Sequence, residues 1–173
     1  MERIPDLTDL RLKTVPPVKY SRSALGGTFD HLHVGHKRLI ATAAAVSDEI
    51  LIGVTSDEFV LRSKGSKAQS FEERKAALVR YLSEIDALER SRIVPLDDPF
   101  GPALTEVGLD AIFVTVDTVG NALELNRARR GSGLRALEIV IVPKAFSEAG
   151  GFVSSTRIRA GEIDEGGKAV RLP

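Results

Sequence analysis

Short apolar runs alternate with helix-periodic segments along this chain, and this alternation constrains the fold more than any other feature of the sequence. The runs Glu49–Val54, Leu109–Val116 and Leu137–Val142 have the length of strands and are apolar at most positions. Such runs are typical of strands buried on both faces of a parallel sheet. Weaker strands are predicted at Lys19–Leu25, which is unusually polar, and at Ile93–Leu96, which a proline is expected to end.

Helices are predicted between these strands from apolar residues that recur every three to four positions. They run from Gly35 to about Val46, after the capping box Ser70–Glu73, from about Thr118 to Arg130, and from the Ser154 region to Gly161. This order of elements predicts an α/β fold: a single doubly wound, Rossmann-like parallel sheet of about five strands, flanked by helices.

The remaining segments are predicted to be irregular. Thr55–Gln69 is polar and interrupted by glycine, so we expect a loop there. Residues 1–18 are punctuated by prolines and show no helical period, which predicts an irregular lead-in. Residues 19–173 are then expected to form one domain.

The composition excludes several classes of protein. The formal net charge is +0, so the chain as a whole does not attract nucleic acid or acidic membranes. The absence of cysteine excludes disulfides, thiolate chemistry and zinc held by cysteine. The apolar runs are too short to span a membrane and the first residues are charged, so we expect no signal peptide and a cytoplasmic location.

The stretch Gly26–His36 is the strongest candidate for a functional site. It lies between a predicted strand and a predicted helix, and it places all three histidines of the chain within six residues. A helix N-terminus offers unpaired N–H groups and the positive end of the helix dipole, which favour a bound phosphate. His33, His36 and the hydroxyl of Thr28 would add donors for the charge that develops during phosphoryl transfer.

Other interpretations of this stretch fit less well. Its glycines match neither a Walker A loop nor the dinucleotide fingerprint Gly-x-Gly-x-x-Gly. Zinc ligands on one helix are usually four residues apart, whereas His33 and His36 are three apart across a glycine. Solvated or core histidines are the remaining alternative, which the clustering of all three makes less favoured.

Four segments follow predicted strands, and the carboxyl ends of parallel strands meet at one edge of a sheet. They are the histidine stretch, the polar loop with Lys64, the helix from Thr118, and the Ser154 region. The sequence therefore predicts a composite site at that edge.

Two motifs carry a resemblance to a known family. Gly27–Asp30 followed by His33–His36 resembles the nucleotidyltransferase superfamily marked by (Thr/His)-x-Gly-His, and Ser154–Arg159 resembles its second, serine-rich signature. Together with other segments, these motifs are similar to phosphopantetheine adenylyltransferases of the archaeal and eukaryotic type, from about residue 20 to residue 166. The other matching segments are Val54–Glu58, Glu72–Arg74, Asn126 with Arg129, Leu137–Val140 and Gly161–Asp164.

The resemblance implies transfer of AMP from ATP to 4′-phosphopantetheine, with Mg²⁺, to give dephospho-coenzyme A and pyrophosphate. A direct in-line attack is expected, because the acceptor phosphate is itself a nucleophile and the sequence shows no activated protein nucleophile. The implied partners are ATP and 4′-phosphopantetheine, with coenzyme A as a candidate inhibitor and no nucleic acid or membrane.

The resemblance also assigns site residues. His36 is expected to donate to the transition state, His33 to contact the β- and γ-phosphates, and Thr28 to bond to the acceptor phosphate or the α-phosphate. The other residues expected at ATP are Gly27, Phe29, Asn126, Arg129, Ser154, Ser155, Thr156 and Arg157. Those expected at the acceptor, besides Thr28, are Lys64, Lys67 and Arg74.

Several of these assignments leave alternatives open. Arg157 is favoured over Arg159, because the residue between them is expected to face the core and the two arginines then point different ways. Lys64 and Lys67 are close enough to exchange roles, and solvated lysines are an equal alternative. Arg74 could instead pair with neighbouring glutamates in its helix.

Three further positions bear on the site. A turn or cap role is expected for Asp30. Gly150 stands where the family has an aspartate before glycine, and Asp117 stands where it often has a longer carboxylate. Both differences affect the expected nucleotide end, and so the ligand geometry more than the reaction.

Two other functions are compatible with the same motifs. A cytidylyltransferase, or an FAD- or NAD-forming adenylyltransferase, would use these histidines with a different acceptor. A non-catalytic nucleotide-binding module is the second, although binding alone would not need a transition-state donor.

Overall fold

The computed structural model describes residues 19–64 and 68–170, except for the side chain of Lys64. The predicted lead-in, residues 1–18, lies outside the described residues, so the domain boundary stays a prediction. In the described part of the chain, every helix is too short or too polar to span a bilayer.

The described residues contain one sheet of five parallel strands in the order β3-β2-β1-β4-β5. The strands are β1 (Tyr20–Gly27), β2 (Ser47–Thr55), β3 (Ser91–Leu96), β4 (Ala111–Val114) and β5 (Glu138–Ile141). This topology confirms the predicted doubly wound, Rossmann-like fold and its number of strands. The strand order reverses between β1 and β4, which is the position where open α/β sheets bind ligands.

The helices lie on both faces of the sheet. They are α1 (Val34–Val46), α2 (Asp57–Lys64), α3 (Phe71–Glu84), α4 (Val119–Gly131) and α5 (Ser155–Arg159), with 3₁₀ helices at Leu88–Arg90 and Gly101–Leu104. Strand β2 shows the two faces clearly: Ile50 and Ile52 pack in the cluster covered by α1 and α3, whereas Leu51 packs in the cluster beneath α4.

The polar strand β1 is central in the sheet, which its sequence makes surprising. Ser23 of β1 is completely buried, and the hydroxyl of Ser47 on β2 donates to it at 2.7 Å. Because this bond satisfies the donor of Ser47 and gives the hydroxyl oxygen of Ser23 a partner, the strand tolerates burial without an apolar residue at this position.

Two predictions about the connections are wrong. Thr55–Gln69 is not a loop throughout, because α2 occupies its middle and buries Val60. Pro95 does not end β3: it pairs with Val54, and the strand continues to Leu96. Since β3 is an edge strand, the missing N–H group of a proline is tolerated there.

Candidate active site

A cavity of about 1000 Å³ lies at the carboxyl ends of the strands, beside the reversal of strand order. Its lining includes Thr28 after β1, Ser63 of α2, Thr118 before α4 and Ser154 before α5. The predicted meeting of four segments at one sheet edge is therefore confirmed.

The turn after β1 is tight and conformationally strained. Phe29 and His31 have positive φ angles of 55° and 46°, which residues with a side chain rarely adopt. The ring of Phe29 is fully buried and meets the ring of His36 edge-on, with centroids 5.3 Å apart. Gly27, Thr28 and Phe29 all line the cavity, while their contacts with ATP stay predictions.

His33 is the N-cap residue of α1. Its Nδ1 accepts the backbone N–H groups of Gly35 and His36, at 3.2 and 3.4 Å. In return, Nδ1 of His36 accepts the backbone N–H of His33 at 3.4 Å. The His-x-Gly-His sequence is therefore a capping box made of two imidazoles, which sequence analysis does not foresee.

This mutual capping determines where the ring protons lie. A ring nitrogen that accepts a hydrogen bond carries no proton, so in both rings Nδ1 is the acceptor and Nε2 is the nitrogen that can donate. The rings stack with centroids 3.7 Å apart, and both line the cavity. Burial lowers the pKa of His33 to about 4; the carboxylate of Asp30 opposes this change, while His31 and Lys144 add to it.

The first N–H groups of α1 are used within the protein. The N–H of Val34 donates to the carbonyl of Glu165 at 2.9 Å, the next two reach Nδ1 of His33, and that of Lys37 reaches the His33 carbonyl at 3.0 Å. Gly35 leaves room for this arrangement, because a Cβ there would lie 3.1 Å from the ring of His33. The expectation that these N–H groups are unpaired is therefore wrong, while the binding of phosphate at this end of α1 stays a prediction.

Asp30 joins the histidine turn to the second motif. Its side chain is only 3% exposed; Oδ1 accepts the N–H of Gln69 at 2.8 Å, and Oδ2 accepts from the guanidinium of Arg159. Its backbone carbonyl accepts the hydroxyl of Ser155 at 2.6 Å. The local turn role expected for Asp30 is wrong, because its carboxylate bonds residues that are remote in sequence.

The second motif opens α5 at the cavity. Ser154 is the N-cap residue of α5, and its hydroxyl accepts the N–H of Arg157 at 3.4 Å. Ser154, Ser155 and Thr156 all line the cavity, which is where nucleotide contacts require them to be. Their contact with ATP stays a prediction.

The preference for Arg157 over Arg159 is wrong. The guanidinium of Arg157 pairs with Glu162 at 2.8 Å and donates to the hydroxyl of Ser147 and to two carbonyl groups of the preceding turn. It therefore holds that turn against α5 and is absent from the cavity wall, whereas Arg159 lines the cavity. The two side chains do point different ways, and Ile158 between them packs against a small apolar cluster.

Arg74 is a structural residue rather than an acceptor ligand, so that assignment is wrong. It is fully buried and donates to the carbonyl groups of Thr28 and Thr55, at 2.8 Å each. It also bonds the carbonyl of Gln69 and pairs with Asp57 at 2.7 Å, not with the neighbouring glutamates. Arg74 thus ties together the segments that follow β1 and β2 outside the cavity wall.

Asn126 and Arg129 do not reach the cavity, so their assignment to ATP is wrong. The amide of Asn126 donates to the carbonyl of Leu137 at 2.8 Å and accepts its N–H at 2.7 Å. Arg129 donates to the carbonyl of Ala103 and to two other loop carbonyl groups. Both residues are buried, because they satisfy backbone groups that would otherwise lack partners.

The two candidate lysines stay predictions. Lys64 ends α2, but its side chain is outside the description, and Lys67 lies outside the described residues. Their neighbours Ser63 and Ala68 line the cavity, so this segment does border the site.

Lys144 is a cavity residue that the sequence analysis misses. Its ammonium pairs with Asp117 at 2.6 Å and lies 4.7 Å from the centroid of the Phe152 ring. Lys144 and Asp117 both line the cavity. The signal was its position shortly after β5, because ligand-binding side chains commonly follow the carboxyl ends of such strands.

One side of the cavity is apolar. It extends past Gly53 towards the face of the sheet that α4 and the second 3₁₀ helix cover. Gly53 is required there, since a Cβ would lie 2.6 Å from the side chain of Leu96. The apolar side chains of this lobe are Leu51, Val94, Leu96, Phe100, Pro102, Ala103 and Leu125.

Comparisons with known proteins agree with one another. The family model described as cytidylyltransferase-like matches residues 24–161. A phosphopantetheine adenylyltransferase of Methanopyrus kandleri is 43% identical over 152 residues, which cover 87% of this chain and 96% of the relative. One from Methanothermobacter thermautotrophicus is 41% identical over 153 residues, covering 88% and 92%.

A solved structure is also similar. A protein of unknown function from Archaeoglobus fulgidus is 34% identical, with a TM-score of 0.62, and the match covers 70% of this chain and 88% of that one.

Proposed function

This chain belongs to the cytidylyltransferase-like family, and we propose that it is a phosphopantetheine adenylyltransferase, as its relatives are named. It would transfer AMP from ATP to 4′-phosphopantetheine and release pyrophosphate. The observation that carries this proposal is the stacked, mutually capped pair of His33 and His36 in the cavity wall. Asp30 supports it by joining these histidines to the serine motif.

The two imidazoles suit charge stabilisation rather than covalent catalysis. A phosphate oxygen of the acceptor attacks the α-phosphorus, and the bond from that phosphorus to the leaving pyrophosphate oxygen breaks. His36 donates from Nε2 to the oxygens that gain charge, His33 contacts the β- and γ-phosphates, and Thr28 orients the acceptor or α-phosphate. A single donor of this kind typically raises the reaction rate by a factor of about 10²–10³.

The apolar lobe suits the rest of the acceptor. Beyond its phosphate, 4′-phosphopantetheine is a flexible arm with two methyl groups and amide linkages. Such an arm gains by burying its apolar surface, while its phosphate stays near Thr28 at the polar end of the cavity. Lys64 or Lys67, whose described neighbours Ser63 and Ala68 line the cavity, would balance the charge of that phosphate.

Mg²⁺ is proposed as the ion that accompanies ATP. Among the described residues, no group of three or more metal-ligating side chains comes together. The cavity carboxylates Asp30 and Asp117 each pair with a cation. This donor set fits an ion held mainly by phosphate oxygens and water, as Mg²⁺ commonly is in nucleotide sites. When bound, it would neutralise phosphate charge.

Two further proposals follow from the reaction. Coenzyme A contains the whole of the product and should occupy the same cavity, so inhibition competitive with 4′-phosphopantetheine is expected. A cytoplasmic location would give the enzyme direct access to ATP.

The test is a reaction of the purified protein with ATP, Mg²⁺ and 4′-phosphopantetheine. We expect pyrophosphate release and formation of dephospho-coenzyme A, identified by mass. Parallel reactions contain nicotinamide mononucleotide or FMN as acceptor, or CTP as donor. Turnover with one of these alone would assign the chain to another activity of the family. ATP binding without turnover in any reaction would favour a non-catalytic module.

A further inference from the structure

The described residues of the cavity wall carry equal numbers of fixed positive and negative charges. Among the described residues that line it, the permanent cations are Lys144 and Arg159, and the carboxylates are Asp30 and Asp117. Each cation forms an ion pair with one of the carboxylates. A triphosphate that enters this cavity must therefore compete with a carboxylate for any lysine or arginine described here.

The two ion pairs differ in how easily they can open. The carboxylate of Asp30 is 3% exposed and also holds the N–H of Gln69. Releasing Arg159 would leave a buried, uncompensated charge, which is costly. The carboxylate of Asp117 is 62% exposed, so water solvates it as soon as its partner leaves. The pair of Lys144 with Asp117 is therefore the exchangeable one.

Building on the proposed function, we propose that Lys144 binds the polyphosphate of the nucleotide and that Asp117 holds its ammonium in the cavity until the nucleotide arrives. On binding, a phosphate oxygen replaces the carboxylate as the partner of Nζ, and Asp117 turns to solvent. The exchange involves no covalent step.

The surroundings of Lys144 fix its side chain for this role. The ring of Phe152 lies 4.7 Å from its ammonium, and the guanidinium of Arg38 donates to its backbone carbonyl at 3.2 Å. Only 23% of the side chain is exposed, so little conformational freedom is lost on binding. Lys144 lines the same cavity as His33 and His36, and its positive charge adds to the lowering of the pKa of His33.

Two substitutions of the same ion pair test the proposal. Lys144→Met and Asp117→Asn both remove the contact of Nζ with the carboxylate. If the pair only stabilises the fold, the two variants should change nucleotide binding in the same direction. If Lys144 binds phosphate, they should change it in opposite directions, because the first removes a ligand and the second removes its competitor.

Binding is measured by calorimetry at fixed ionic strength, with the Mg²⁺ complex of α,β-methylene-ATP and separately with pyrophosphate. We expect Lys144→Met to raise Kd for the analogue about tenfold or more, as loss of a charged hydrogen bond implies. Asp117→Asn should lower Kd by about twofold or more, and Lys144→Arg should lie between the wild type and Lys144→Met. Thermal unfolding of each variant establishes that it is folded.

A Kd for Lys144→Met within twofold of the wild type would overturn the proposal. So would weaker binding in both Lys144→Met and Asp117→Asn. Because these measurements need neither acceptor nor turnover, they are independent of the adenylyltransferase assay. Opposite shifts in a protein that fails to make dephospho-coenzyme A would refute the proposed function and leave the role of Lys144 standing.

Discussion

The replacement His33→Asn tests whether a neutral imidazole holds the N-terminus of α1. Asparagine is among the best N-cap residues, and its side chain does not titrate. His33→Asn therefore keeps a cap on α1 while it removes the ring that His36 stacks against and the ionisable group. The matched variant His33→Ala removes the cap as well.

The expected size of the effect follows from the folded pKa of His33, which burial lowers from 6.5 to about 4. Between these values the unfolded chain binds a proton that the folded protein does not, so the free energy of unfolding falls as the pH falls from 6.5 to 4. The full contribution is about 3 kcal/mol. It is present above pH 6.5, and it should be absent from both variants.

Urea unfolding at a series of pH values and fixed ionic strength measures this contribution. The difference in unfolding free energy between the wild type and His33→Asn should shrink by about 3 kcal/mol from pH 7.5 to pH 4. His33→Ala should be about 1 kcal/mol less stable than His33→Asn throughout. NMR titration of the His33 ring gives its pKa directly. If the unfolding free energies of the wild type and His33→Asn change in parallel with pH, or if the His33 ring titrates near 6.5, a neutral His33 ring does not cap α1.

Three further substitutions, two of them with a matched control, separate catalytic from structural residues. His36→Ala should lower kcat by a factor of about 10²–10³ with little change in ATP affinity. The control His31→Ala changes a residue outside the cavity wall and should leave kcat unchanged. Equal losses of kcat in the two variants would contradict the role of His36. Arg74→Met should lower the free energy of urea unfolding by about 3 kcal/mol or more, because three carbonyl groups lose their donor at about 1–3 kcal/mol each. The exposed control Arg80→Met should change it little. Asn126→Ala should cost about 2–3 kcal/mol and leave KM for ATP unchanged; a raised KM without loss of stability would restore its assignment to ATP.

The fold could be predicted from the sequence because buried parallel strands appear in it as short apolar runs. The strands and most helices were therefore predicted, with ends a few residues off. Helix α2 was missed because its apolar residues Phe59, Val60 and Leu61 are consecutive, and only Val60 is buried. No apolar residues recur at helical spacing there to distinguish the helix from a loop. The burial of Ser23 in the central strand β1 is accompanied by a hydrogen bond from the hydroxyl of Ser47, a contact that no local pattern encodes.

Only part of the candidate site could be predicted from the sequence. The two motifs predicted which segments meet, since strand ends meet at one edge. The polar residues Asn126 and Arg129 were misassigned, because their partners are backbone groups of distant loops. Arg157 and Arg74 were assigned to ligands for the same reason. Whether an arginine faces a ligand or a carbonyl group depends on tertiary contacts, and residue type alone does not reveal it.

The long-range contacts of the histidine turn have a consequence for the order in which the protein becomes active during synthesis. Asp30 and Arg159 are 129 positions apart, and Val34 depends on the carbonyl of Glu165. The last strand of the sheet ends at Ile141, so the sheet can form before these partners leave the ribosome. At typical elongation rates, synthesis of Arg159 and Glu165 follows that of the histidines by on the order of ten seconds. A nascent or prematurely ended chain would hold a nearly complete scaffold and an unassembled active site.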